Sequence, residues 1–396
     1  MDRPTFKSAS HNGVSLPEEQ EKSRSFYRWW TRIGLVIVVI LIALFYVPVP
    51  YAIKMPGSTF NVLGSDNGVP MLQIEGTDPA TGEPIQQDTP QSTSYRDRAK
   101  PGQGQLRMVA VKDVGQPGRS AKLLDLVLAY FEPHSAILDY DEVYPADLTQ
   151  DQNERLKQEL LDNSVKTSQV AALEYLGWEV PATVTIEGVM EGSNAEGAVM
   201  DGDTLLAITT PDGVRHGIRH ASTTAALMRT IPAGSEVTIT VDRSGTTLNL
   251  SFATIASSTD SRGSMLGVYL SVDPALPVDI TVNIDGVGGP SAGMMFSLSI
   301  IDRLTPGDMT GGNVIAGTGT MSYDGYVGRI GGIQQKLWGA HRDGAQWFLA
   351  PSENCNEVVG HVPDGLRVVS VSTLDEAVNA VRSIADGTGD ALPTCQ

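Results

Sequence analysis

The run DGVGGPSAGMMFSLSIIDRLTPGD, residues 285–308, decides how the C-terminal third of the chain is read. A strand-like ITVNI (280–284) leads into Gly286, Gly288 and Gly289, Pro290 stiffens the turn, and the apolar residues through Leu304 form a helical run. Ser291 therefore stands at a helix start. A hydroxyl there lies near unpaired backbone N–H groups and the positive end of the helix dipole. It has two uses: an N-cap that closes the helix, or a nucleophile beside groups that stabilise an oxyanion. The pattern alone leaves both open.

Working outward, GYVGRIGGIQQKLWGAHRDGAQWFLAPSENC (325–355) contains a second helical pattern, GGIQQKLWGAHRDG, with Ile333, Leu337 and Ala340 on one face. Lys336 sits beside that face. A lysine held in a dry pocket loses the hydration of its ammonium, its pKa falls, and the neutral amine accepts a serine proton. An ordinary surface lysine has the same spacing.

GGPSAG, AGTGTMSYDGYVGRIGGIQQK, AHRDGA and APSEN resemble, in order and spacing, the proteolytic domain of Lon-type peptidases over about residues 262–384. The resemblance implies that Ser291 is the nucleophile, that Lys336 is general base and then general acid, and that Thr318 orients the lysine amine. His341, five residues past Lys336, is read as structural. Two positions depart from the family: Thr320 and Gly288 stand where Lon enzymes carry acidic residues. No GxxxxGK[ST] run occurs in the sequence, so ATP-driven unfolding is not expected. The expected substrates are extended or loosely folded polypeptides.

The formal charge of -18 argues against a nucleic-acid surface, since phosphate contacts need clustered Lys and Arg. From Ile33 to Ile53 there is no charged residue, enough for a bilayer span at ~1.5 Å rise per residue. Pro48 and Pro50 end its regular part. Lys22, Arg24, Arg28 and Arg32 precede the span, which places the N-terminus in the cytoplasm and the chain after Lys54 outside. A cleaved signal peptide is the rival reading; the run is long for one.

Residues 76–104 read as a long polar linker, QLRMVAVKDV (105–114) as a strand and SAKLLDLVLAYF (120–131) as a helix. Asp139, Asp141 and Glu142 are read as a solvated acidic loop, because the glycine and closing glutamate of a calcium loop are missing; no metal and no cofactor are assigned. Cys355 and Cys395 are either one disulfide or two free thiols.

In the middle of the chain a helical pattern at 165–177 is followed by strands at 182–190, 203–209, 235–243 and from Thr246, with a helix at 221–231. This order resembles a bacterial PDZ domain over 165–256, which implies binding of an extended peptide by strand addition. Here Gly202-Asp203 turns the chain into a strand. The series of anchor, PDZ-like module and Lon-like domain resembles the membrane-anchored PDZ/Lon proteins of Gram-positive bacteria.

The expected fold is thus α+β and multidomain: a cytoplasmic tail (1–28), a transmembrane helix (29–53), a mixed α/β membrane-proximal region (54–164), a PDZ-like β-rich domain (165–256) and a Lon-type proteolytic α+β domain (257–396). The expected function is an ATP-independent, membrane-anchored serine endopeptidase. Its alternative is a catalytically inactive PDZ/Lon-like membrane scaffold. Rings formed by related peptidases imply a homo-oligomer.

Overall fold

The computed structural model describes residues 19–66, 68–85, 91–94, 102, 104–145, 148–257 and 263–395. The expected tail up to residue 18 and much of the expected linker at 76–104 lie outside them. The first helix, α1 (Glu19–Tyr46), contains 19 residues from Arg28 to Tyr46 with mean hydropathy 2.1 and none of its apolar stretch buried, long and apolar enough to cross a membrane. It stops at Tyr46 rather than approaching residue 53. Pro48 and Pro50 lack the N–H that would extend the helix, and Tyr51 already opens a strand.

From there the chain forms β1 (Tyr51–Asn61), β2 (Leu72–Gly76), β3 (Gln105–Val114), α2 (Leu123–Phe131), β4 (Ala136–Asp139) and α3 (Gln150–Tyr175). A second stretch contributes β5 (Ala182–Val189), β6 (Thr204–Thr209), α4 (Ala221–Thr230), β7 (Glu236–Arg243), β8 (Thr246–Ala253) and β9 (Val268–Pro274). The last stretch adds β10 (Val278–Val282), α5 (Gly293–Leu304), β11 (Val314–Gly317), α6 (Ile333–Arg342), β12 (Trp347–Pro351), β13 (Arg367–Val371) and α7 (Leu374–Ala385). The result is α+β and multidomain.

One six-stranded sheet has the order β13-β12-β11-β3-β1-β4. β3 lies parallel to β11, with Ile315 opposite Leu106, and antiparallel to β1. The strands β1 and β3, expected in a separate membrane-proximal region, thus complete the C-terminal sheet. The reason is the exposed edge: β11 would otherwise present a row of unpaired N–H and C=O groups, and β3 covers it. Gln91–Ser94, inside the expected linker, is a short strand paired with Gly64–Asp66, which needs only main-chain groups.

The helix α5 is buried from Gly293 through Ile301, so it has no polar face and packs at the centre. Phe296, Leu298 and Ile300 share one core with Leu106 and Met108 of β3, Leu161, Val170 and Leu173 of α3, and Val378 of α7. A Cβ added at Gly293 would come within 2.9 Å of Met321, so glycine permits this close approach. The helix α3 runs unbroken from 150 to 175, through the start expected at 165: its first half packs on the turn before Ser291, where the Lys157 carbonyl accepts the Gly289 N–H, and Val170 and Leu173 of its second half share the core with α5.

The second sheet has the order β8-β7-β6-β5-β9 with α4 packed on it. Alternating residues such as Val237, Ile239 and Val241 fill its core, as the period of 2 requires. Ser244 and Gly245, at φ 53° and 85°, make the tight turn between β7 and β8. Its last strand, β9, pairs with β5 and lies beyond the module expected to close at 256.

Candidate active site

The geometry of the site begins with how α6 is held. A Cβ built at Gly339 would lie 2.8 Å from the Gly57 carbonyl, and one at Gly57 would lie 2.3 Å from the Ala110 carbonyl. Two glycines thus let the helix lie almost on the backbone of β1 and β3. At the C-terminal end of α6, the Asp343 carboxylate accepts the Thr59 N–H at 3.0 Å and the Thr59 hydroxyl at 3.2 Å. The buried Arg107 donates to the same Thr59 hydroxyl at 2.7 Å, and Arg342 donates to the Gly57 carbonyl at 2.6 Å. The apolar face of α6, Ile333, Leu337 and Ala340, is fully buried below.

Lys336 is consequently driven into the protein and is only 3% exposed. Its Nζ lies 2.8 Å from the Val109 carbonyl, 2.8 Å from Ser291 Oγ and 3.0 Å from Thr318 Oγ1. These oxygens suit either protonation state of the amine, since an ammonium donates to all three. The Val109 carbonyl can only accept. The Thr318 hydroxyl donates to the Ser291 carbonyl at 2.9 Å, which leaves its lone pairs for the amine. A neutral amine has two N–H bonds for these two acceptors and one lone pair for the Ser291 hydroxyl. What favours the neutral form is burial, which draws the Lys336 ammonium down from 10.5 to about 7, with the Asp113 carboxylate pulling the other way.

Ser291 is fixed on the opposite side of the amine. Its carbonyl accepts from the Gly319 N–H at 2.9 Å as well as from Thr318. The helix α3 clamps the rest of the turn: the Lys157 carbonyl accepts the Gly289 N–H at 2.9 Å, Ser164 Oγ donates to the Pro290 carbonyl at 3.0 Å, and Ser168 Oγ donates to the Gly293 carbonyl at 2.9 Å. Ser291 is not the helix cap. The cap residue of α5 is Ala292, with no side-chain cap bond, so the serine hydroxyl is left for Lys336.

The structure brings Ser291, Lys336 and Thr318 together, and it separates His341 from them. His341 is exposed and stands edge-on to the Trp338 ring. Thr320 lies in a short strand paired with Gly328, and Gly288 approaches Lys157, 2.8 Å from an ideal Cβ. Asp141 and Glu142 are exposed in the short helical turn Tyr140–Val143. Cys355 and Cys395 are joined as a disulfide, with Cα atoms 4.9 Å apart.

Sequence reasoning missed Asp113. This residue lines the same cavity, of about 590 Å³, as Lys54, Lys157, Gly288, Ser291 and Lys336. Burial raises its pKa, while Lys157, Lys54 and Lys336 pull it back. Its Oδ1 has no hydrogen-bond partner among the described residues. It comes from β3, far from the motifs in sequence, and no pattern in QLRMVAVKDV marks it.

Residues 278–383 match the family described as Lon protease (S16) C-terminal proteolytic domain. Lon protease 2 of Bacillus subtilis is 32% identical over 108 residues, covering 26% of this chain and 19% of that protein. Lon protease of Haemophilus influenzae is 37% identical over 93 residues, covering 23% of this chain and 11% of that protein. Lon protease of Clostridioides difficile is 36% identical over 93 residues, 23% of this chain and 12% of that protein. The chain spans less than a fifth of the length of each of these relatives. The similarity is to the proteolytic part, and it supports a serine peptidase.

Proposed function

We propose that this chain is a membrane-anchored serine endopeptidase that works without ATP, with Ser291 as nucleophile and Lys336 as general base. The observation that carries the reading is the 2.8 Å contact between Ser291 Oγ and a lysine amine that burial holds near neutrality. In this reading the neutral amine takes the Ser291 proton as Oγ attacks the peptide carbonyl. The resulting ammonium then gives that proton to the leaving amine as the C–N bond breaks. Water, deprotonated by the same lysine, releases the acyl group from Ser291. Thr318, by donating to the Ser291 carbonyl and accepting from the amine, keeps the lone pair aimed at the hydroxyl.

The apolar helix at Arg28–Tyr46 supports a single-pass anchor. Lys22, Arg24, Arg28 and Arg32 support a cytoplasmic N-terminus with the folded part outside. The Cys355–Cys395 disulfide favours that oxidising side. The second sheet, β5 to β9 with α4, is read as a PDZ-like module. Ala221, Thr224 and Met228 of α4 face Val268 and Leu270 of β9 across a cavity of about 240 Å³, and β9 is the terminal strand of its sheet. An extended, unfolded polypeptide segment added along β9 would be its ligand. Assembly into a homo-oligomer belongs to the same proposal.

Ser291→Ala and Lys336→Ala should each lower cleavage of casein, measured without ATP, by at least about a thousandfold while the folded domain remains intact by circular dichroism. Undiminished cleavage by either variant would remove the dyad. No cleavage by the unaltered protein would favour the scaffold reading.

A further inference from the structure

The outward side of α2 is apolar, and we propose that it is a second membrane contact, lying in the boundary between lipid headgroups and acyl chains. The proposal rests on the reading of α1 as a membrane-spanning helix. Leu124, Val127, Leu128 and Phe131 recur at the i, i+3, i+4, i+7 spacing of one helix face. Val127 is 37% exposed, Leu128 59%, Tyr130 78% and Phe131 76%. The opposite side is committed to the protein, where Ala129 packs against Ile53 and Ala121. Asp125, the one acid of this helix, accepts the Lys122 N–H at 2.8 Å and so closes the helix start. Tyr130 and Phe131 meet edge-to-face at 5.5 Å, an amphipathic aromatic pair of the kind that settles at a lipid–water boundary.

A contiguous apolar face of this kind is a liability in water and calls for a cover. Its position says which cover. The Leu123 N–H donates to the Val47 carbonyl at 3.0 Å, and the Val49 N–H donates to the Ala121 carbonyl at 2.9 Å. Pro48 bridges Lys122 between them. Thus α2 begins against the residue that follows the last turn of α1, where the spanning helix leaves the bilayer. A nine-residue helix is ~13 Å long, and interfacial helices bury their apolar side by roughly 5–10 Å. The bilayer that α1 crosses reaches this face without any further association, whereas a second copy of the chain would have to be recruited.

The test uses the full chain with its disulfide intact, carrying one fluorophore on Phe131→Cys, Ile40→Cys or Val214→Cys, in vesicles with and without lipids brominated in the acyl chains. Val214, exposed in the turn that follows β6, reports the surface of the second sheet's module. The expected result is loss of emission at positions 40 and 131 and none at 214. Loss at 40 alone leaves the membrane helix standing and overturns the α2 contact; energy transfer between labels at 131 would then identify a second copy as the cover. Equal loss at 214 also overturns it, since the domain would lie against lipid without preference for α2. No loss at 40 overturns the membrane helix and this proposal with it.

Discussion

A lysine serves as base only after losing its proton, so the pH dependence of cleavage reports the state of Lys336. With the amine at about 7, the neutral fraction falls below pH 7 and saturates above it. The rate with a saturating unfolded substrate should climb about tenfold per pH unit on the acid side and level off above neutrality. Among the described residues, the Asp113 carboxylate is the charge that favours the ammonium. Asp113→Asn should therefore move the acid limb to lower pH, as measured by kcat against pH in the variant and the parent chain. A limb that stays in place would mean that this carboxylate does not act on the lysine. Ser291 and Lys336 were legible through the resemblance of GGPSAG and GGIQQK to the Lon-type blocks, since apolar periodicity alone fits a structural turn serine and a surface lysine equally well. Val109 and Asp113 were not legible. They approach Lys336 because α6 lies directly on β1 and β3, and sequence periodicity does not say on which strands a helix will lie.

The elements themselves were largely legible, since β3, β7 and α4 follow clear periods of 2 or 3.6. The continuity of α3 was not: Asn163 and Ser164 resemble a helix end, yet Ser164 and Ser168 turn their hydroxyls to carbonyls around the Ser291 turn. Their value lies in a tertiary contact, which local propensity cannot display. The placement of α6 depends on a similar contact at its C-terminal end. Asp343 holds both the N–H and the hydroxyl of Thr59, and it pairs with Arg342 at 2.8 Å. Asp343→Ala leaves the buried Thr59 N–H without its acceptor and Arg107 without the relay through Thr59. The expected cost is about 2–4 kcal/mol of stability, read as a lower melting temperature. Cleavage should also fall, because α6 carries Lys336. Full activity and an unchanged melting temperature would show that the glycine contacts alone seat the helix.

At the scale of the molecule, the two sheets are joined close to the site. Arg229, on the helix that lines the groove beside β9, donates to Asp324 at 2.9 and 3.1 Å and lies 3.8 Å over the Tyr326 ring. Asp324 sits in the hairpin that follows Thr318, so the link runs from the groove to the segment that touches the lysine amine. The pair is only partly exposed, and bidentate geometry at such a site is worth more than a solvated surface ion pair. Arg229→Ala, Asp324→Ala and the double variant form a cycle whose coupling should be about 1–2 kcal/mol in thermal or denaturant unfolding. If the groove acts on the site through this link, the single variants should also lower cleavage of a folded-domain substrate bearing an extended tail more than cleavage of a short peptide. Coupling below about 0.5 kcal/mol, or equal losses for both substrates, would mean that the sheets share a border there without acting on one another.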